Sequence, residues 1–246
     1  MIAPTVNRVT TVRIAEHDPD LFDEASDPAA AAAASLAETE WLETGYWEPP
    51  EYDTRGHYGL LILDGVLIRH VLLGVRDGLE LLGPGDLIRP WVGFGGGSSI
   101  EVTTRWAVHE RARLAHLDRR FAVRMAPWPE VAGCVMDREM RRQRFLAMHL
   151  AISQMPRLES RLRVLFWYLA DRWGRVTSDG VVLDLPLTHE LVAGLVGARR
   201  PGVTSALGVL QRGGEFGRRS DGRWTLHGDP PEELRAASFE NEGAAR

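Results

Sequence analysis

The chain has 246 residues, of which 44% are apolar and 26% charged, with one cysteine and a net charge of −5. That length suits one large domain or two modest ones, and the composition is ordinary for a soluble globular protein. The lone Cys134 excludes an internal disulfide and any four-cysteine zinc or iron–sulfur site within one chain. No apolar run approaches the ~20 residues of a membrane span. The start, "MIAPTVNRVTTVRIAEHDPD", lacks the apolar core of a signal peptide. A cytoplasmic protein with no membrane partner is the expectation.

The net charge hides an asymmetry. Residues 1–104 hold 6 Arg against 17 acidic residues, and residues 105–228 hold 21 Arg against 12. An acidic module joined to a basic one suited to a polyanion fits this split, and so does an unevenly charged, merely solvated surface. Every basic side chain is Arg, which can grip phosphate or guanine with two N–H groups at once.

Residues 1–45 read as an acidic extension with one helix. Asp27-Pro28 offers an N-cap and a first-turn proline for a helix over "AAAAAASLAETEWLE". Residues 46–126 change texture to short apolar runs broken by glycine. "YGLLILDGVLIRHVLLG" and "GLELLGPGDLIRPW" predict strands with tight turns at Asp64-Gly65, Asp77-Gly78 and Gly83–Asp86, spaced as in a β-roll, barrel or sandwich. "ERARLAHLDRRFAVRM" returns to helical spacing. Residues 127–155 predict a long helix started by Pro127 and Pro129, with Val131, Cys134, Phe145, Met148 and Ile152 near one stripe. That stripe fits either a core helix or a dimerisation helix. After Pro156, "RLESRLRVLFWYLADRWG" predicts another amphipathic helix.

"LTHELVAGLVGARRPGVTSALGVL" predicts two short helices meeting near a right angle. Thr188 caps the first through Val196, Gly197 turns, and the second runs from about Arg200 to Gln211. Small Ala193 and the apolar Val192, Val196, Ala198, Val203 and Ala206 take the positions that must pack between them. This is the pattern of a DNA-binding helix-turn-helix, with a purely structural helical hairpin as the plain alternative. "GEFGRRSDGRWTLHG" adds a hairpin closed at Asp221-Gly222, making a winged helix-turn-helix over residues 156–228. Arg199, Arg200, Pro201, Thr204 and Ser205 are the candidate base-reading residues, since they open the recognition helix and Arg bonds guanine bidentately. Thr188, His189, Arg218, Arg219 and Arg223 are candidates for phosphate. The tail, 229–246, is expected to be disordered.

In this order of parts the sequence resembles the Crp/Fnr family of bacterial transcription regulators. The resemblance is carried by "LPLTHELVAGLVGARRPGVTSAL", with support from "LLGPGDLIRPW" and "LESRLRVLFWYLADRWG". It implies an α+β protein with an N-terminal cyclic-nucleotide-binding-like β-roll, a long dimerisation helix and a C-terminal winged helix-turn-helix. It further implies a homodimer on inverted-repeat double-stranded DNA, with RNA polymerase as a further candidate partner. Arg200 falls on the family's base-reading arginine. Pro201 replaces the glutamate common beside it, and Ser205 replaces a second arginine.

Members that bind cyclic AMP carry Gly-Glu-Leu after the glycine turn, then an Arg-Ser or Arg-Thr pair for the phosphate. Here "LIRPWVGFGGGSSIEVTT" has neither, so cyclic AMP is not expected to bind. The effector and any cofactor stay unassigned. No iron–sulfur cluster is expected from one cysteine, no metal ligands stand out, and Gly93–Gly97 is not a phosphate loop because no Lys-Ser/Thr follows. No enzyme is expected. A cupin-like metal enzyme would need a His-x-His pair that this chain lacks, and no nucleophile elbow or His-Glu-x-x-His occurs. An interaction module that has lost DNA binding is the other alternative.

Overall fold

The apolar run after Tyr58 forms a single strand, β4 (Gly59–Leu73), and its side chains explain the whole sheet. Leu61 and Leu63 enter one core, with Leu117, Phe121 and Val131; Leu60 and Ile62 enter another, with Trp47, Trp106 and Leu114. A strand buried on both faces needs no polar alternation, which is why it reads as a continuous apolar run. The computed structural model describes residues 7–74, 76–92 and 102–236. They fall into two compact units, Met1–Phe145 and Leu146–Arg246.

The first unit is an antiparallel seven-stranded sheet. Its order is β1 (Asn7–Arg13), β2 (Leu36–Leu42), β7 (Thr103–Leu117), β4 and β5 (Arg76–Leu82), with β3 (Gly45–Trp47) on β7 and β6 (Leu87–Ile88) on β4. Residues 7–45 therefore build the sheet and are not an extension ahead of it. The helix expected after Asp27 is α1 (Pro28–Ala34), and it stops there. Asp27 caps it as expected, accepting from Ala30 N–H at 3.0 Å. "LAETEWL" is strand β2, pairing Thr39 with Ala115 and Leu42 with Ala112. "ERARLAHL" is likewise the end of β7, and only Arg119–Met125 is helical, as α2. Helix-forming Ala, Glu and Leu were overridden here by cross-strand burial.

Two expected turns are also corrected. Asp64-Gly65 lies inside β4 as an irregularity of its pairing with β7. Gly65 has φ +81°, and a Cβ there would lie 2.2 Å from the Arg111 carbonyl oxygen, so only glycine fits this close approach. Asp77-Gly78 lies within β5, paired with Leu72 and Val71. The third turn is as expected: Gly83 N–H donates to Asp86 Oδ2 at 2.8 Å, and Gly85 takes φ +84°. The run Gly93–Gly97 lies outside the described residues.

The long helix is α3 (Glu130–Ser153). Of the five residues of the expected stripe, Phe145 and Met148 are half-buried. Val131, Cys134 and Ile152 are buried within the chain, whereas Met136, Met140 and Leu150 are 68%, 54% and 64% exposed.

The second unit holds α4 (Leu158–Trp173), the strands β8 (Gly174–Thr177) and β9 (Gly180–Leu183), α5 (His189–Val196) and α6 (Arg200–Arg212), then β10 (Phe216–Arg218) and β11 (Trp224–Leu226). The expected wing hairpin is β10–β11. It is half of a four-stranded antiparallel sheet, β10-β11-β9-β8, whose other half sequence reading missed. Residues 229–246 are not wholly without structure: Glu232–Ala236 form a short helix, α7.

Candidate nucleic-acid interface

Each helix boundary around Gly197 has a local cause. The Thr188 hydroxyl accepts the Leu191 N–H at 3.2 Å and so starts α5. Gly197 ends it at φ +64°, and a Cβ there would meet nothing within 4 Å, so the backbone conformation alone calls for glycine. Arg199 is extended, and Pro201 sits in the first turn of α6, where its missing N–H costs nothing. Val203, Ala206, Leu207 and Leu210 bury one face of α6, while Val192, Ala193 and Val196 do so on α5. This burial leaves Arg199, Arg200, Pro201, Thr204 and Ser205 together on the exposed face.

The exposed side chains differ in freedom. Arg200 Nε lies 3.9 Å from Glu190 Oε2, with the two side chains 68% and 77% exposed, so this ion pair holds Arg200 loosely. Ser205 Oγ donates to the Pro201 carbonyl at 3.1 Å, and Thr204 Oγ1 to the Arg200 carbonyl at 3.0 Å. His189 Nδ1 is 2.9 Å from the same Thr204 oxygen, which ties the start of α5 to the first turn of α6. Burial, then Arg218 and Arg200, hold the His189 pKa below its usual 6.5, so the ring is neutral near pH 7.

Trp224 organises the other side, and sequence reading missed it. Its indole N–H donates to the Leu187 carbonyl at 3.2 Å, the same oxygen that Arg218 Nη1 reaches at 3.4 Å. The Arg218 guanidinium lies 4.5 Å from the Trp224 ring centre, and the His189 ring 6.0 Å from it. Wing and α5 are thus joined through one buried indole. The only sequence signal was a tryptophan in a strand too short to need one for its own core. Arg219 and Arg223 of the wing already have acidic partners. Arg223 Nε is 2.7 Å from Asp184 and Arg219 Nε 3.6 Å from Asp221, whose Oδ1 also accepts the Arg223 N–H at 2.9 Å.

A separate cavity of about 600 Å³ lies in the first unit, between the sheet and α3. Arg69, Arg89 and Arg142 line it, with Trp106, Val135 and Met140. Sequence reading, which looked for an Arg-Ser or Arg-Thr pair after the glycine turn, gave none of these three arginines a role. Arg69 and Arg142 both bind the buried Glu80, at 2.7 and 2.6 Å, and Arg89 Nε donates to the Tyr58 carbonyl at 2.6 Å. Glu139 stands 3.5 Å from Arg142. Among the described residues no cluster of His, Cys, Asp and Glu could hold a metal ion, and no helix is long and apolar enough to cross a membrane.

With two such units in this order, known structures offer a direct comparison. A CooA variant from Carboxydothermus hydrogenoformans superposes with a TM-score of 0.63 at 16% identity, covering 94% of this chain and 98% of that one. The fold is that of the Crp/Fnr regulators. FixK2 from Bradyrhizobium japonicum gives 0.59 at 14% identity, covering 81% and 96%. A Crp/Fnr-family transcriptional regulator from Thermus thermophilus gives 0.57 at 20%, covering 80% and 96%. In sequence, 83 residues are 32% identical to the regulatory protein CysR of Synechococcus elongatus, over 32% of this chain and only 40% of that protein's length. No protein-family model matches the chain.

Proposed function

We propose that the chain is a Crp/Fnr-type transcription regulator, not an enzyme, that binds double-stranded DNA as a homodimer and reads bases with α6. The observation that carries this reading is the first turn of α6. Arg199, Arg200, Pro201, Thr204 and Ser205 share its exposed face, while the opposite face is buried. A helix anchored on one side, with arginines at its outward N-terminal end, is the arrangement that enters a major groove. Thr188, His189, Arg218, Arg219 and Arg223 flank it and take phosphate. A structural helical hairpin would have no need of that exposed basic edge.

The dimer seam is the exposed face of α3. Met136, Met140, Gln143, Ala147 and Leu150 follow one another at spacings of three and four, and all are exposed. Two such stripes packed across a two-fold axis would bury them and present two recognition helices to one side of the duplex, ~34 Å apart. The cavity against α3 is the effector chamber in this reading. RNA polymerase remains a further candidate partner.

Selection of bound duplexes from a random-sequence pool tests the reading. The expected outcome is an inverted repeat whose half-sites are one helical turn apart and contain a guanine. Recovery of no enriched sequence would overturn it.

A further inference from the structure

His189 opens α5 with Nδ1 2.9 Å from the Thr204 hydroxyl oxygen. That hydroxyl spends its one hydrogen on the Arg200 carbonyl, at 3.0 Å. Toward His189 it can only accept, so the hydrogen of the neutral ring sits on Nδ1, and Nε2 is a bare acceptor. Phosphate oxygens are acceptors too. A neutral His189 therefore has no hydrogen to offer them, and a protonated ring has one on Nε2.

The charged and polar neighbours come from every element around the ring. Arg200 and Thr204 belong to α6, Arg218 to β10, Trp224 to β11, and Glu190 follows it on α5, 3.9 Å from Arg200. In the free chain partial burial, then Arg218 and Arg200, oppose a third positive charge. A phosphate at the start of α5 reverses that balance, because it neutralises the arginines and pairs with the new N–H. The first helix of a helix-turn-helix crosses the DNA backbone, which is where such a phosphate lies.

We propose that DNA binding by this chain takes up one proton at His189 in each half-site, so that affinity rises as the pH falls. The proposal rests on the reading of α5 and α6 as a DNA-binding pair.

The test is binding of a duplex selected from the random pool, followed by fluorescence anisotropy from about pH 8 to about pH 6 at constant ionic strength. A pKa rise of about one unit on binding gives at most roughly tenfold tighter binding per half-site, reached below the free-chain pKa. The span to about pH 6 should therefore show about threefold to sixfold per half-site, and about tenfold or more for two. H189Q has an uncharged donor that does not titrate, and its affinity should stay within about twofold across the range. H189R is charged throughout and should bind near pH 8 as tightly as the parent chain near pH 6. His189 is part-exposed, and melting curves check that both variants fold. A flat profile in the parent chain, or a rise that survives in H189Q, overturns the proposal while leaving DNA binding intact. A chain that retains no duplex from the pool at any pH overturns the DNA-binding reading, and the proposal with it.

Discussion

Arg142 of α3 grips Glu80 of β5 with two N–H groups, Nε to Oε1 at 2.6 Å and Nη2 to Oε2 at 3.0 Å. Arg69 of β4 holds the same carboxylate at 2.7 Å, and Glu80 is only 3% exposed. One buried anion thus joins two strands to the helix. Removing it leaves two guanidinium groups desolvated together. Glu80→Ala should cost about 3–5 kcal/mol, as for breaking a buried pair. Urea unfolding measures this. A loss below about 1 kcal/mol, the level of an exposed pair, would contradict the arrangement.

The seam on α3 predicts an oligomeric change from one residue. Met140 is 54% exposed on the stripe proposed as the seam. Met140→Glu should convert the dimer to a monomer in sedimentation at tens of micromolar, with circular dichroism unchanged. A parent chain that is already monomeric would contradict the seam.

His57 gives a pH-dependent stability. Its Nδ1 accepts the Gly59 N–H at 3.1 Å, and its ring centre lies 6.3 Å from that of His116. Burial first, then the charges of His116 and Arg89, lower its pKa below the usual 6.5. The unfolded chain therefore takes the proton first as acid is added. Stability should be full above pH 6.5, fall as the pH drops from there toward the folded pKa, and then level off. His57→Asn keeps an acceptor for Gly59 without titrating, so it should flatten this part of the stability–pH curve. An unchanged curve would assign the effect to another group.

The cavity predicts weak or absent cyclic AMP binding. Its guanidinium groups are there, but Glu80 occupies Arg69 and Arg142, and the Tyr58 carbonyl occupies Arg89. A cyclic phosphate would have to displace these bonds for little gain. Calorimetry should give no micromolar affinity, and a micromolar dissociation constant would show that the arginines rearrange.

The legible parts were those specified by local chemistry. Thr188, Gly197 and Pro201 each act within one turn of chain, so the boundaries of α5 and the start of α6 could be read directly. The seven-stranded sheet depended on distant partners. "LAETEWL" is a good helix sequence on its own, and only its pairing with β1 on one side and β7 on the other makes it β2. Likewise, nothing near Arg69, Glu80 or Arg142 in the chain announces that they meet. Apolar spacing on α3 could not reveal that Val131 and Cys134 join the core of the first unit with Leu117 and Phe121.

Base reading by Arg200 is what most directly separates a DNA-reading α6 from a structural helical hairpin. The direct measurement is binding of Arg200→Ala and Arg219→Ala to matched and mismatched duplexes at several salt concentrations. Arg200→Ala should lose roughly 1–3 kcal/mol per half-site and relax preference at one base pair. Arg219→Ala should weaken all sequences alike and lower the salt slope by about one unit for each phosphate it no longer neutralises. If Arg200→Ala instead lost affinity uniformly and kept its sequence preference, Arg200 would be a phosphate contact and the claim would be wrong.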